Sequence, residues 1–473
     1  MIDQKEISAI VETVVARLKA EGKVSGPHTT ASPESGVFDR IEDALAAARV
    51  AQPIWAATPR AVKTKVIDAL RGVMHAHAED FARREWEETG LGRVADKIVK
   101  IHNAANATPG LEDLEPRTWT GNKGLVVEDY APYGVVGAVT PSTHPVPVLF
   151  NSLAIIIAPG NAVVFNVHPA AKKVSAYALG LFNKAIRESG GPANLATMAA
   201  EPTIESANTL FRDKSVRLIG ATGGPGLVKA AFSAGKKVIA AGPGNPPVLV
   251  DETADLDRAA RHIIDGASFD NNILCIAEKE AFVVDAVYNR FMDAMTRAGA
   301  VRLSRDQVKA LAAKAFPKND RGEVTTSRDF VGKNASVLAR AAGLSVGEDV
   351  RLLFGEADFD CLFVQEEQMM PYMPVVRVKD VEEGIAMAKK AEHRYGHTAM
   401  IHSNNLDTIT RFGQIMNTSI TVVNGSSLVG LGGMAGEGTF SHTVSSPTGE
   451  GVCTPRHFAR TRRLAFGGTL NFV

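Results

Sequence analysis

The stretch YGVVGAVTPSTHPVPVLFNSLAIIIAPGNAVVFNVHP, residues 133 to 169, holds one full repeat of the rhythm that decides the fold. YGVVGAVT (133–140) and AVVFN (162–166) are short apolar runs rich in Val, and PVLFNSLAIIIA between them has helical length. Two such strands joined by a helix form a βαβ unit, because parallel strands cannot be connected by a tight turn. The alternation continues through LATMA (195–199), VRLIGA (216–221) and KKVIAA (236–241), separated by the helix-like AAKKVSAYALGLFNKAIRES, TIESANTLFR and PGLVKAAFSAG. Strands that are apolar along their whole length predict an α/β fold whose parallel sheet is covered on both faces. Such sheets bind ligands at the carboxyl ends of their strands, where TPSTHP (140–145), NVHP (166–169), GATGGPG (220–226) and AGPGNPP (241–247) lie. A Gly-rich loop opening a helix suits phosphate, but GATGGPG has no GK[ST] ending and is by itself equally a tight turn.

Around this unit the organisation reads as follows. Residues 38 to about 107 have a helical pattern, and a second α/β region begins near Val248 and runs through AFVVD (281–285), VVRV (375–378) and TAMIHS (398–403). The irregular segment 316–360 has no readable rhythm, and the terminal RRLAFGGTLNFV reads as a late strand suited to pairing. At the other end, residues 1–20 place Ile7, Ile10, Val11, Val14, Val15 and Leu18 on one face of a helix, capped by Asp3 with Glu6. Residues 21–36 are dominated by Gly, Pro, Ser and Thr and read as a flexible linker. The tethered helix either docks on a partner or folds back on its own domain.

Composition narrows the function. Lys plus Arg and Asp plus Glu number 52 each, so no global field gathers nucleic acid or an anionic membrane. No apolar run approaches the roughly 20 residues that span a bilayer. The three cysteines, Cys275, Cys361 and Cys453, are too widely spaced for a disulfide framework or a CxxC metal site, which suits a reducing cytoplasm. HRYGH (393–397) has a His-x-x-x-His spacing without a third ligand, so no metal is expected.

The motifs FDNNILCIAEKE (269–280), GATGGPGLVKAA, NVHP, EQMMP (367–371) and SPTGEG (446–451), in this order, resemble the aldehyde dehydrogenase superfamily over residues 37–473. They are most similar to its CoA-acylating members, and the tethered helix resembles the branch packed inside bacterial microcompartments. The resemblance implies a Rossmann-type cofactor domain, 37–245, with 118–133 in an oligomerisation sheet. It further implies a catalytic domain, 246–436, and a return segment, 437–473, with residues 1–20 as a targeting helix behind the 21–36 linker. It implies NAD and coenzyme A as cofactors, propionaldehyde or acetaldehyde as substrate, and a homodimer or homotetramer. The cytoplasmic enzyme would sit inside a compartment, held by shell or core proteins.

By the same resemblance Cys275 is the nucleophile, and Thr143 stands where the hydrolytic branch places its oxyanion-hole Asn. Pro141, Asn166, Thr222, Gly223 and Gly226 would line the dinucleotide channel, and Glu367 would hold the nicotinamide ribose. His144 and His168 would lie near the acyl pocket or the channel, in either a structural or a catalytic role. The chemistry is consistent with a thiol of ordinary pKa, about 8.5, whose thiolate attacks the aldehyde and becomes an acyl thioester after hydride loss. Where the hydrolytic branch has ELGGK, this chain has Ala241, Gly242, Pro243, Gly244 and Asn245, so the water-activating Glu is missing. Water, with a pKa of about 15.7, is then handicapped against a thiol by about 10 kcal/mol in deprotonation. The alternatives are a hydrolytic or semialdehyde dehydrogenase, for which that Glu is expected, and a non-catalytic scaffold on the same fold.

Overall fold

The computed structural model describes residues 31–320, 322–433 and 435–471; the predicted helix 1–20 and residues 21–30 of the linker lie outside them, whereas 31–36, expected to be flexible, form a turn at Pro33–Ser35 held by Asn183 Nδ2 donating to Ser35 O at 2.9 Å. The six-stranded sheet runs Val37–Phe38, Ala196–Ala199, Ala162–Val167, Val135–Thr140, Val216–Thr222, Lys237–Ala241, with every neighbouring pair parallel. Both strands of the 133–169 unit are buried at every position, which is why they show no polar alternation. The connecting helix Pro145–Ile157 is likewise buried on all sides and so carries no amphipathic stripe. Asn161 closes the unit: its Nδ2 donates to Ile156 O and Phe458 O, and its Oδ1 accepts from the N–H groups of Tyr133 and Gly134.

The second sheet has seven strands, all parallel: Val301–Leu303, Leu353–Glu356, Tyr372–Val378, Glu280–Val284, Pro247–Val250, Thr398–His402, Ile420–Val423. Within 316–360 the chain forms the helix Ala335–Ala341 and the strand Leu353–Glu356, packed on a separate small core with Leu311, Phe316, Leu338, Phe363 and Tyr372. Elements of seven and four residues are too short to show a period, which is why the segment was illegible. A third, antiparallel sheet joins Ala459–Gly467, Gly124–Pro132 and Arg117–Gly121. The late strand therefore pairs with the GLVVEDYA segment of its own chain, tied by Arg462–Asp129 at 3.0 Å and Arg463–Glu128 at 2.8 Å. Trp119, Leu464 and Phe466 stand exposed on this sheet. No helix among the described residues is long and apolar enough to cross a membrane.

The two parallel sheets meet in opposite senses. Loops 141–144, 223–224 and 242–246 leave the carboxyl ends of the first sheet, as expected. The segments carrying Cys275, Glu367 and His397, however, enter the amino ends of strands of the second: the adjacent Glu280–Val284 and Tyr372–Val378, and Thr398–His402 on the other side of Pro247–Val250. The functional residues gather where these two edges face each other.

Candidate active site

Cys275 ends an unusual loop. After the helix Leu256–Ser268, Asp270, Asn271 and Asn272 adopt φ of 46°, 55° and 66°, three consecutive left-handed residues. This conformation costs most side chains about 1–2 kcal/mol per residue, and Asp and Asn tolerate it best. The loop is held by buried polar bonds. The Asp270 carboxylate accepts from Arg93 N–H at 2.6 Å and from Lys97 at 3.3 Å, and it also pairs with Lys100. Asn271 Nδ2 donates to Gly332 O and Asn334 Oδ1, while Asn272 Nδ2 donates to Ala267 O and Glu278 O. The fully buried Lys279 ammonium donates to Asn272 Oδ1 at 2.6 Å, Leu274 O at 2.9 Å and Asn272 O at 3.2 Å. A cation thus fastens the backbone just before the nucleophile.

Burial pushes the Cys275 thiol up to about 12, the Glu367 carboxylate adds to the rise, and Lys279 opposes it. The expectation of a thiol titrating near its ordinary value is therefore corrected: desolvation disfavours the thiolate in this site. Glu367 is not a solvated loop carboxylate. Its Oε1 accepts from Gly244 N–H at 3.1 Å, and burial raises its carboxyl to about 7, with Lys279 and the Gly244 bond pulling the other way. An acid in another segment thus reaches the loop that has no Glu of its own.

Gly244 separates the nucleophile from a histidine that spacing alone misread. A methyl group on it would lie 2.5 Å from the Cys275 carbonyl oxygen and 3.1 Å from His397 Cγ. His397 is fully buried; its N–H donates to Glu392 Oε1 at 2.9 Å and its Nδ1 shares a bond with Thr398 Oγ1 at 2.9 Å. Its Nε2 finds no partner among the described residues, and burial lowers its pKa to about 4, so the ring is neutral. HRYGH is not helical: the helix Val381–Ala391 has ended, and His393 and Arg394 are left-handed. The two imidazoles therefore share no helix face. Nothing local marks His397; the parallel register of Pro247–Val250 with Thr398–His402 brings it beside Gly244.

Of the remaining sequence candidates, Pro141 and Thr143 lie half-buried on the loop after Val135–Thr140. The Asn166 side chain is committed to the helix Ile204–Arg212, accepting from Ser206 Oγ at 2.5 Å and donating to Thr203 O at 3.3 Å. Thr222 ends its strand, Gly223 N–H donates to Ala241 O at 3.1 Å, and Gly226 opens the helix Pro225–Phe232 with free space around its Cα. Beside that helix runs a groove of about 510 Å³, walled by Val228, Phe232, Pro243 and Pro447 with Lys229 and Tyr395. An apolar slot beside a helix N-terminus fits an adenine nucleotide with its phosphates. His168 is a cap, its Nδ1 accepting from Ala170 N–H at 3.1 Å. Cys453 is buried and donates to Ser445 Oγ at 3.2 Å, and Cys361 is half-buried beside the smaller core.

Behind the nucleophile loop lies a buried ionic group that sequence reading missed. Lys97 lies 3.8 Å from Glu85 and 3.3 Å from Asp270, and Lys100 reaches both Asp270 and His144 Nδ1, the latter at 2.8 Å. Both lysines sit in the helix Val94–Ala107, where a hydrophobic-period scan reads charge as solvent-facing.

A model of the aldehyde dehydrogenase family matches residues 25–439. The acetylating acetaldehyde dehydrogenase of Escherichia coli (strain K12) is 44% identical over 100% of both chains. The CoA-propanoylating propanal dehydrogenase of Salmonella typhimurium (strain LT2) is 38% identical, covering 96% of this chain and 97% of that one. Among solved structures, a propionaldehyde dehydrogenase from the Clostridium phytofermentans fucose utilisation bacterial microcompartment superposes with a TM-score of 0.90 at 39% identity, over 93% of this chain and 100% of the other. The Rhodopseudomonas palustris propionaldehyde dehydrogenase, solved with bound CoA and an acylated cysteine, gives a TM-score of 0.90 at 37% identity, over 93% and 100%.

Proposed function

The chain belongs to the aldehyde dehydrogenase family, and from that premise we propose how its site works. It is a CoA-acylating aldehyde dehydrogenase, converting a short aldehyde to its acyl-CoA with NAD and CoA. The observation that carries the reading is the loop Ala241–Asn245, which packs a glycine, not an acid, against the Cys275 carbonyl.

Cys275 Sγ attacks the aldehyde carbon. Because burial holds the thiol protonated, a base must take its proton, and Glu367, raised to about 7, is matched to that task at neutral pH. The developing oxyanion is assigned to the Cys275 N–H and the Thr143 hydroxyl, the donors the family pattern offers. The nicotinamide of the dinucleotide, when bound, accepts the hydride, and the acyl group stays on Cys275 as a thioester. His397, neutral and with Nε2 uncommitted, accepts a hydrogen bond from the CoA thiol, whose sulfur attacks the thioester while its proton passes to the departing Cys275 sulfur, so that acyl-CoA leaves and the Cys275 thiol is restored. Lys279 keeps the loop in place throughout by satisfying the carbonyls of Asn272 and Leu274.

Supporting a compartment address are the bacterial-microcompartment origin of a solved relative and the amphipathic pattern of residues 1–20, which we propose docks on shell or core proteins of a cytoplasmic microcompartment. The apolar residues Trp119, Leu464 and Phe466 support a dimer, or a tetramer of dimers, built through the antiparallel sheet. Deleting residues 1–36 should abolish co-localisation with such a compartment while turnover persists.

Enzyme, propionaldehyde and NAD without CoA should release a burst of about one NADH per active site and then slow, since no acid on the 241–245 loop activates water. Added CoA should restore steady turnover. Sustained NADH release with free propionate and no CoA requirement would favour the hydrolytic alternative, and no NADH under any condition the scaffold.

A further inference from the structure

The buried ionic group behind the nucleophile loop has one member that bonds to both of the loops the reaction needs. Lys97 and Lys100 lie one turn apart on the helix Val94–Ala107, so their side chains share a face, and both are buried. They meet Glu85 and Asp270, so that two cations balance two anions. Taking four charges out of water is costly, and such a group is a weak source of stability; what its bonds supply is a fixed geometry. The loop carrying Asp270 does not depend on Lys100 for its own place. The Asp270 carboxylate also accepts from Arg93 N–H at 2.6 Å and from Lys97 at 3.3 Å, and the Asp270 N–H donates to Asp96 Oδ2 at 2.9 Å. The loop 141–144 is tied differently. Just beyond it, Val146 N–H donates to Glu85 Oε1 at 2.7 Å, and at its end the His144 ring accepts from Lys100 through Nδ1 at 2.8 Å. An ammonium only donates, so this bond leaves the lone pair on Nδ1 and keeps the ring neutral; burial and the Lys100 charge both hold the His144 pKa well below its usual range. The ring also stacks on His442, with 5.5 Å between centres. Lys100 therefore ties His144, the residue after Thr143, directly to Asp270, at the start of the left-handed turn that leads to Cys275.

From this arrangement we propose that Lys100 is a positioning residue: by donating to Asp270 and His144 together, it sets the spacing between the loop that carries the Cys275 thiol and the loop that carries the Thr143 hydroxyl. Its effect falls on acylation, in which Sγ bonds to the aldehyde carbon and the new oxyanion needs its donors at a fixed distance. Lys100 acts through its two partners and not on the substrate. The inference rests on the reading of this chain as a CoA-acylating aldehyde dehydrogenase and deepens it.

The test follows NADH formation by the full-length enzyme with propionaldehyde and NAD in the absence of CoA. The amplitude of the burst counts working sites, whereas its rate constant reports acylation, so a merely structural role moves the first and a positioning role the second. Lys100→Met should show full amplitude with a rate constant about 10- to 100-fold lower. His144→Leu should match it, while His144→Asn, which keeps an acceptor near the place of Nδ1, should retain most of the wild-type rate. Because the two residues act through one contact, the double variant Lys100→Met with His144→Leu should be no slower than the slower single variant. If Lys100→Met fails to fold by thermal melting, the two His144 variants supply the same comparison. An unchanged rate constant in the apolar variants, a loss confined to amplitude, a His144→Asn variant as slow as His144→Leu, or losses that multiply in the double variant overturns the inference alone. Absence of NADH formation by the wild type, with or without CoA, would instead overturn the functional reading beneath it.

Discussion

Gly244→Ala tests the geometry of the site at its tightest point. The added methyl would lie 2.5 Å from the Cys275 carbonyl oxygen, 3.1 Å from His397 Cγ and 3.3 Å from His397 Cδ2, whereas ordinary contact begins at 3.4 Å. The nucleophile's backbone must therefore retreat by about 0.9 Å, because none of the three neighbours is the end of a flexible side chain. The loop has little freedom to retreat, pinned as it is by Lys279 at Leu274 O and by the Asp270 bonds. Overpacking of this kind costs about 1–3 kcal/mol in stability, and a displacement of about 1 Å at a reacting group costs about 100-fold in rate. The expected outcome is a protein that still folds, melts a few degrees lower, and has CoA-dependent kcat/KM for propionaldehyde reduced about 100-fold. NADH absorbance and thermal melting measure both. Gly413→Ala, in the helix Leu406–Met416 with nothing near its Cα, is the control and should leave both unchanged or slightly raise stability. Activity of Gly244→Ala within about threefold of wild type would refute the claim that Cys275, Gly244 and His397 form one rigid contact.

Cys275→Ala should abolish NADH formation while leaving the melting temperature near wild type, and Cys361→Ala and Cys453→Ala should keep most activity; substantial turnover by the first would remove the nucleophile assignment. Asp270→Asn removes the charge that opposes the burial-driven lowering of Lys100 and leaves Lys97 and Lys100 without their shared partner, so denaturant unfolding should show a loss of about 3–5 kcal/mol, and an unchanged midpoint would contradict the ionic reading. Glu367→Gln removes a negative charge that raises the Cys275 pKa; more thiolate is then present at any mildly alkaline pH, and iodoacetamide should modify the free enzyme faster even as aldehyde turnover falls. An unchanged alkylation rate in that variant would mean that the carboxylate does not face the thiol.

Much of the fold was legible because its signal is local. The wholly apolar strands of 133–169 can only belong to a sheet covered on both faces, and that inference needs no knowledge of what covers it. The motif around Cys275 likewise marks the residue proposed as nucleophile, and the Asp-Asn-Asn before it suits the left-handed turn the loop adopts. What the tertiary structure alone decided is proximity and burial. His397 lies 122 residues from Cys275 in the chain, and the two flank Gly244 only because parallel strands place their entry segments in one region. Lys97 and Lys100 carry the residue type of a surface, yet both are buried because Asp270, at least 170 residues away in the chain, is folded against them. The thiol's raised pKa has the same origin: desolvation is set by every atom packed around a group, and neighbours in space are not written in neighbours along the chain.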